Sequence, residues 1–97
     1  MIEAAKPAAG HAVVLLPPAL VNLFPGAERR VELAASRVDE VITALDARWP
    51  GMRDRLCDSR PSIRRHINVF VDGERANLDT AISAGAEVFI ITAISGG

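Results

Sequence analysis

The sequence closes on Ala93-Ile94-Ser95-Gly96-Gly97, a diglycine placed directly after an apolar run. Those residue types in that position point to acyl chemistry at the Gly97 carboxylate. A carboxylate is a poor electrophile until it is activated, most simply as an acyl-adenylate. An activating enzyme must then draw the chain end through a narrow channel to a nucleotide. Two glycines suit that passage because they lack a Cβ, adopt φ of either sign and admit close backbone approach. Ser95 is small too and lengthens the narrow stretch. The competing explanation is a glycine end without a role, since chain termini tolerate change. The rest of the sequence favours the chemical explanation.

Other reactive residue types are sparse. Cys57 is the single cysteine, which excludes an internal disulfide and a multi-cysteine metal site and suits a reducing, cytoplasmic setting. No His or Lys adjoins Cys57 in sequence to lower its pKa, so it is expected to be a small packing residue and not a sulfur relay. His11 and His66 are isolated, without metal-ligand spacing, and no metal site is expected. His66 is expected on an open sheet face. Asp72 and Asp79 have turn and cap explanations. There is no glycine-rich loop followed by lysine, so no cofactor or nucleotide is expected to bind this chain. No triad or paired-carboxylate set stands out, which argues for a carrier acting with partner enzymes and against an enzyme.

The elements that must position the tail follow from the hydrophobic pattern. Ninety-seven residues, 49% of them hydrophobic and 24% charged, suffice for one domain with a single core. A net charge of -1 with interspersed signs gives no electrostatic case for nucleic acid or an anionic membrane. No apolar run approaches the roughly 20 residues needed to cross a bilayer. Met1 to Gly10 has no signal-type apolar core, and residues 1–11 are expected to be a flexible arm preceding a domain over 12–97.

Ala12 to Leu16 is a short Val-rich apolar run stopped by Pro17-Pro18, the pattern of a buried strand. Ala19 to Phe24 is a helical turn or irregular, and Pro25-Gly26 marks a turn. Arg29 to Leu33 alternates as a half-buried strand, with Val31 and Leu33 on the inner face. Ser36 is the expected N-cap of the main helix, with Asp39 as its capping-box partner. Val38, Val41, Ile42, Leu45 and Trp49 then form one apolar stripe, ended by Pro50-Gly51. Met52 and Leu56 are expected to extend the cover in a second short turn. Arg65 to Val71 alternates, Ile67, Val69 and Val71 facing one way and His66, Asn68 and Phe70 the other. Asp72-Gly73 is a type I′ hairpin signal, Glu74 to Asn77 an edge strand, and Leu78 to Ala84 a single helical turn. Glu87 to Ile94 is the last strand, apolar on both faces at Val88-Phe89-Ile90-Ile91. One mixed sheet of about five strands packed on one main helix is an α+β domain.

Taken together, the hairpin Asn68 to Glu74, the segment Leu78 to Ile82, the run Gly85 to Ile91 and the Ser95-Gly96-Gly97 end resemble the MoaD/ThiS family of ubiquitin-like sulfur carriers. The resemblance covers Ala12 to Gly97. It departs from the family where a frequent proline pair is replaced by Thr92-Ala93, and in its additional N-terminal arm. The resemblance implies a β-grasp fold and a cycle run by partners. A ubiquitin-activating-type enzyme, using ATP and Mg, adenylates the Gly97 carboxylate, and a persulfide donor converts it to a thiocarboxylate. The sulfur then passes to an acceptor, with a molybdopterin-synthase large subunit as the first expectation and a cysteine-synthase-like enzyme as the second. A ubiquitin-like modifier that forms isopeptide bonds is a further alternative on the same tail.

Strand parity gives the expected docking face. If Val88 and Ile90 point to the helix, Phe89 and Ile91 point away from it, and Phe70 joins them by its parity opposite to Val69. Phe70, Phe89 and Ile91, with Ile94 at the root of the tail, form the expected partner-binding set, while Ser95 and Gly96 thread the channel.

Overall fold

The computed structural model describes residues 11–58 and 62–92. In chain order these form β1 (His11–Leu15), α1 (Pro18–Val21), β2 (Arg30–Ala34), α2 (Val38–Arg48), α3 (Met52–Leu56), β3 (Ile67–Val71), β4 (Glu74–Ala76) and β5 (Ala86–Thr92). The strands make one mixed sheet in the order β2-β1-β5-β3-β4, with β1 and β5 parallel and the other pairs antiparallel. With α2 packed across one face, the chain has the expected β-grasp architecture. The expected arm lies outside the described residues up to Gly10, and β1 begins at His11.

Alternation builds the sheet. On β5, Ala86, Val88 and Ile90 are buried, whereas Glu87, Phe89 and Ile91 are exposed. The run is apolar on both faces because one face meets α2 and the other stays open. β1 and β2 alternate in step, and Val14 lies opposite both Val31 and Val88. From the helix side, Val38, Val41, Ile42 and Leu45 are all buried, since spacings of three, four and seven residues share one helical face. Truncating a fully buried member such as Leu45 to Ala removes contacts that neighbours only partly replace, at a cost of about 2–5 kcal/mol. Trp49 is not in α2 itself; it follows as a half-buried C-cap whose N–H donates to the Leu45 carbonyl at 2.8 Å.

The N-terminus of α2 differs from the expected Ser36 and Asp39 box. Arg37, with φ -147° and ψ 158°, occupies the N-cap position. The Ser36 N–H and hydroxyl both donate to Glu40 Oε1, at 2.7 and 2.9 Å, so the reciprocal carboxylate is Glu40 and not Asp39. The reason lies in the segment between β4 and β5. The first helical donors, Val38 N–H and Asp39 N–H, reach the carbonyls of Thr80 and Leu78 at 3.0 Å each, leaving them no need of a serine hydroxyl. The Ile82 N–H returns a bond to the Ser36 carbonyl at 2.9 Å. Those outward-committed backbone groups also explain why Leu78 to Ala84 is not the expected helical turn but an irregular strap, bridged at Arg37 and Ala81.

Two other joints are side-chain built. Asp46 Oδ1 accepts the N–H groups of Gly51 and Arg53, both at 3.0 Å, and so caps α3 from the end of α2. At the β3–β4 hairpin, Asp72 (φ 51°) and Gly73 (φ 87°) take the left-handed pair that a type I′ turn requires. Asp72 also ties the hairpin to β5, donating its N–H to the Glu87 carbonyl at 2.8 Å and accepting the Glu87 N–H on Oδ1 at 3.0 Å.

Candidate functional site

The open face of the sheet carries one row of partners across all five strands. Arg30 lies opposite Leu15, Leu15 beside Phe89, Phe89 opposite Phe70, and Phe70 opposite Arg75. Directly paired residues share a face, so these five side chains stand on the same side. Phe89 is 39% exposed and Ile91 44%, and Phe70 and Leu15 are half-buried. The row is therefore an apolar centre flanked by arginines. Ile91 extends the centre toward the end of β5, opposite Asn68, whose Oδ1 accepts a bond from Arg75 Nη2 at 2.7 Å. One step back along the strands, Glu32, Val13 and Glu87 form a second row with acidic ends. An apolar centre with a charged rim is the anatomy of a protein-docking surface.

Phe70, Phe89 and Ile91 are thus brought together on one face. Leu15 and Arg75 were missed by sequence reasoning. The signal for Leu15 was its parity with Val13 within the first apolar run, and the signal for Arg75 was its position across the Asp72-Gly73 turn. His66 was expected on this face. It precedes β3 instead, exposed in a turn, and lines a cleft with Leu23, Phe24 and Arg55.

Ile94, Ser95, Gly96 and Gly97 lie outside the described residues. Their point of departure is fixed by Thr92, the last described residue, which pairs with Ile67 at the start of β3. Beside it runs a groove of about 480 Å³ lined by Leu15, Pro17, Pro18, Phe89, Ile91 and Thr92. The exposed apolar row and the base of the tail are therefore continuous.

The titratable groups offer little chemistry of their own. Cys57 is buried, and burial pushes its thiol pKa up, away from the thiolate that a sulfur relay requires. The Ser36 backbone N–H and then its hydroxyl hold the Glu40 carboxyl below its ordinary value, which serves the helix end and not a reaction. Among the described residues, no group of three or more His, Cys, Asp or Glu could hold a metal ion, and no helix is long and apolar enough to cross a membrane.

Comparison with known proteins gives a consistent picture. The ThiS family model matches residues 14–97. The sulfur carrier protein CysO of Mycobacterium tuberculosis is 30% identical, over 82% of this chain and 92% of the relative. Among solved structures, the Amycolatopsis orientalis BexX/CysO complex matches with a TM-score of 0.77 and 28% identity, covering 89% of this chain and 99% of that one. SAMP1 from Haloferax volcanii matches with a TM-score of 0.77 and 27% identity, covering 91% of this chain and 100% of that one.

Proposed function

The chain belongs to the ThiS family as a sulfur carrier of the ThiS and CysO type, and from that premise we propose that its Gly97 carboxylate is the atom group that carries sulfur. A ubiquitin-activating-type partner supplies ATP and Mg and forms the Gly97 acyl-adenylate with release of pyrophosphate. A persulfide sulfur attacks the activated carbonyl and expels AMP. A thiol then attacks the donor's sulfur in the resulting acyl disulfide, forming a new disulfide with the donor and releasing the thiocarboxylate, whose sulfur is nucleophilic at neutral pH. The chain contributes the acyl end and the docking face, and catalysis belongs to its partners, in the cytoplasm. No cofactor is held by the carrier itself.

The observation that carries this proposal is the exposure of Phe89 and Ile91 on the same strand that leads into Ser95-Gly96-Gly97. A partner seated on the Leu15, Phe70, Phe89 and Ile91 surface meets the tail at a fixed origin beside Thr92. Ile94 then stands at the mouth, and Ser95 and Gly96 pass through it.

For the acceptor, the name borne by the M. tuberculosis relative supports a cysteine-synthase-like enzyme ahead of a molybdopterin-synthase large subunit, the reverse of the order taken from the sequence. The test is to offer the thiocarboxylate form to each acceptor class from the same host. Consumption by the cysteine-synthase-like enzyme is expected, and consumption by the molybdopterin enzyme alone would reverse the assignment. The likeness to SAMP1 of Haloferax volcanii, a small archaeal modifier protein, favours a second use of the tail in isopeptide bonds. Diglycine remnants on lysines of host proteins, lost when Gly97 is removed, would report that use.

A further inference from the structure

The sheet face does not account for the charge distribution of the chain. In a chain of net charge -1, residues 51–66 carry five arginines against two aspartates. Two clefts gather three of those arginines, Arg55, Arg64 and Arg65, whereas Arg53 pairs with Asp39. One, of about 600 Å³, is lined by Arg55, Arg64 and His66 over Leu23 and Phe24, with Asp54 as its one acid. The other, of about 270 Å³, has Arg64, Arg65 and Arg75 on its walls and no acidic lining residue. Arg64 belongs to both, so the clefts adjoin. Its Nε donates to the Asp54 carbonyl at 2.8 Å, which fixes the guanidinium between them. The exposed Arg55 and Arg65 side chains have no carboxylate partner among the described residues.

The floor is as informative as the walls. Leu23 is 50% exposed, the most exposed large hydrophobic of the described residues, and it is far from the sheet row in sequence, ahead of β2. A cationic wall over an apolar floor suits an acidic segment that carries one apolar side chain. The place matters as well. His66 adjoins Ile67, and Ile67 pairs with Thr92, so the cleft opens beside the root of the tail.

We propose that the two clefts meeting at Arg64 form a second docking site, which takes an acidic, apolar-anchored segment of the partner that receives the tail. The proposal deepens the sulfur-carrier assignment above and rests on it for the identity of that partner. The nucleotide itself is a poorer occupant. The five residues beyond Thr92, drawn out in a channel, carry Gly97 about 17 Å from the sheet. Phosphates placed at that distance do not reach guanidinium groups on the folded body. What faces the cleft at that moment is the rim of the channel. Complementary charge there would steer the encounter and set its register, while the sheet face supplies apolar contact.

The test uses the full chain, isotope-labelled, titrated with a capped peptide of four glutamates around one leucine. Resonance shifts centred on Leu23, Arg55, Arg64 and His66 are expected. The double variant Arg55→Glu, Arg65→Glu should weaken the peptide roughly tenfold, whereas Arg37→Glu, at the far end of α2, should change it less than about twofold. Replacing the peptide leucine with glycine should also weaken it. Shifts centred on Phe70 and Phe89, equal losses in Arg37→Glu, or displacement of the peptide by equimolar tripolyphosphate would each overturn the proposal. Peptide binding does not depend on activation. Intact binding without sulfur loading at Gly97 would therefore refute the carrier mechanism alone, and intact loading without binding would refute the cleft alone.

Discussion

Phe89 of β5 and Phe70 of β3 are direct cross-strand partners on the face of the sheet that α2 leaves open. Neighbouring Val88 and Ile90 on the same strand are buried under α2. One strand therefore serves the core and the surface on alternate residues, and substitutions one position apart act on one or the other.

Phe89→Arg is expected to slow adenylation by the activating partner about tenfold or more, the loss typical of an interface anchor, while moving the melting temperature little. Val88→Ala should do the reverse, costing about 2 kcal/mol of stability with partner affinity retained in the folded fraction. Pyrophosphate exchange and thermal melts measured on both variants decide it. Swapped effects would mean that the strand faces are assigned the wrong way round.

At the hairpin, the cost of a side chain is purely conformational. A Cβ at Gly73 meets nothing within 4 Å, and its φ is 87°. Gly73→Val is accordingly expected to cost about 1–2 kcal/mol, and Gly73→Asn far less, because asparagine tolerates the left-handed region. Chemical denaturation of the two variants measures the difference; equal costs would point to a steric cause instead.

Acid should expose the role of Glu40. Its carboxyl is held below the usual 4.5 because it accepts from the Ser36 N–H and hydroxyl in the folded state. A depressed folded pKa contributes stability above the unfolded value, and that contribution is lost as pH falls through the folded one. Melting curves of the native chain and Glu40→Gln should therefore differ at pH well above the ordinary carboxyl value, with Glu40→Gln the less stable, and converge as the pH falls through the lowered folded-state value. A constant gap across that range would show that the charge of Glu40 is not the source.

Cys57 should behave as packing. With its thiol buried and its pKa raised, alkylation in the native state should be much slower than for an unfolded control. Cys57→Ala should leave sulfur loading at Gly97 intact. Lost loading in a folded Cys57→Ala protein would make the thiol part of the relay.

Much of this was legible in the sequence, because short-period patterns are local. The alternation in β2, β3 and β5 and the stripe from Val38 to Leu45 gave the sheet faces and the helix face. The Asp72-Gly73 turn was equally clear. What could not be read required long-range partners. The start of α2 is set by carbonyls of Leu78 and Thr80, some forty residues later in the chain, so Ser36 and Asp39 looked like a box that the fold does not use. The cap that Asp46 places on α3 likewise depends on how two helices meet. The candidate site divides in the same way. Parity found Phe70, Phe89 and Ile91, but the union of Leu23 with Arg55, Arg64 and His66 depends on how three separate segments pack.

Mass spectrometry of the C-terminal peptide, from protein incubated with ATP, Mg, a persulfide donor, a reducing thiol and the activating partner, tests the carrier role most directly. The expected result is a gain equal to the exchange of one oxygen for one sulfur, located at Gly97 and abolished when Gly97 is deleted. An unchanged terminal carboxylate after turnover of ATP, or sulfur found on Cys57 instead, would contradict it.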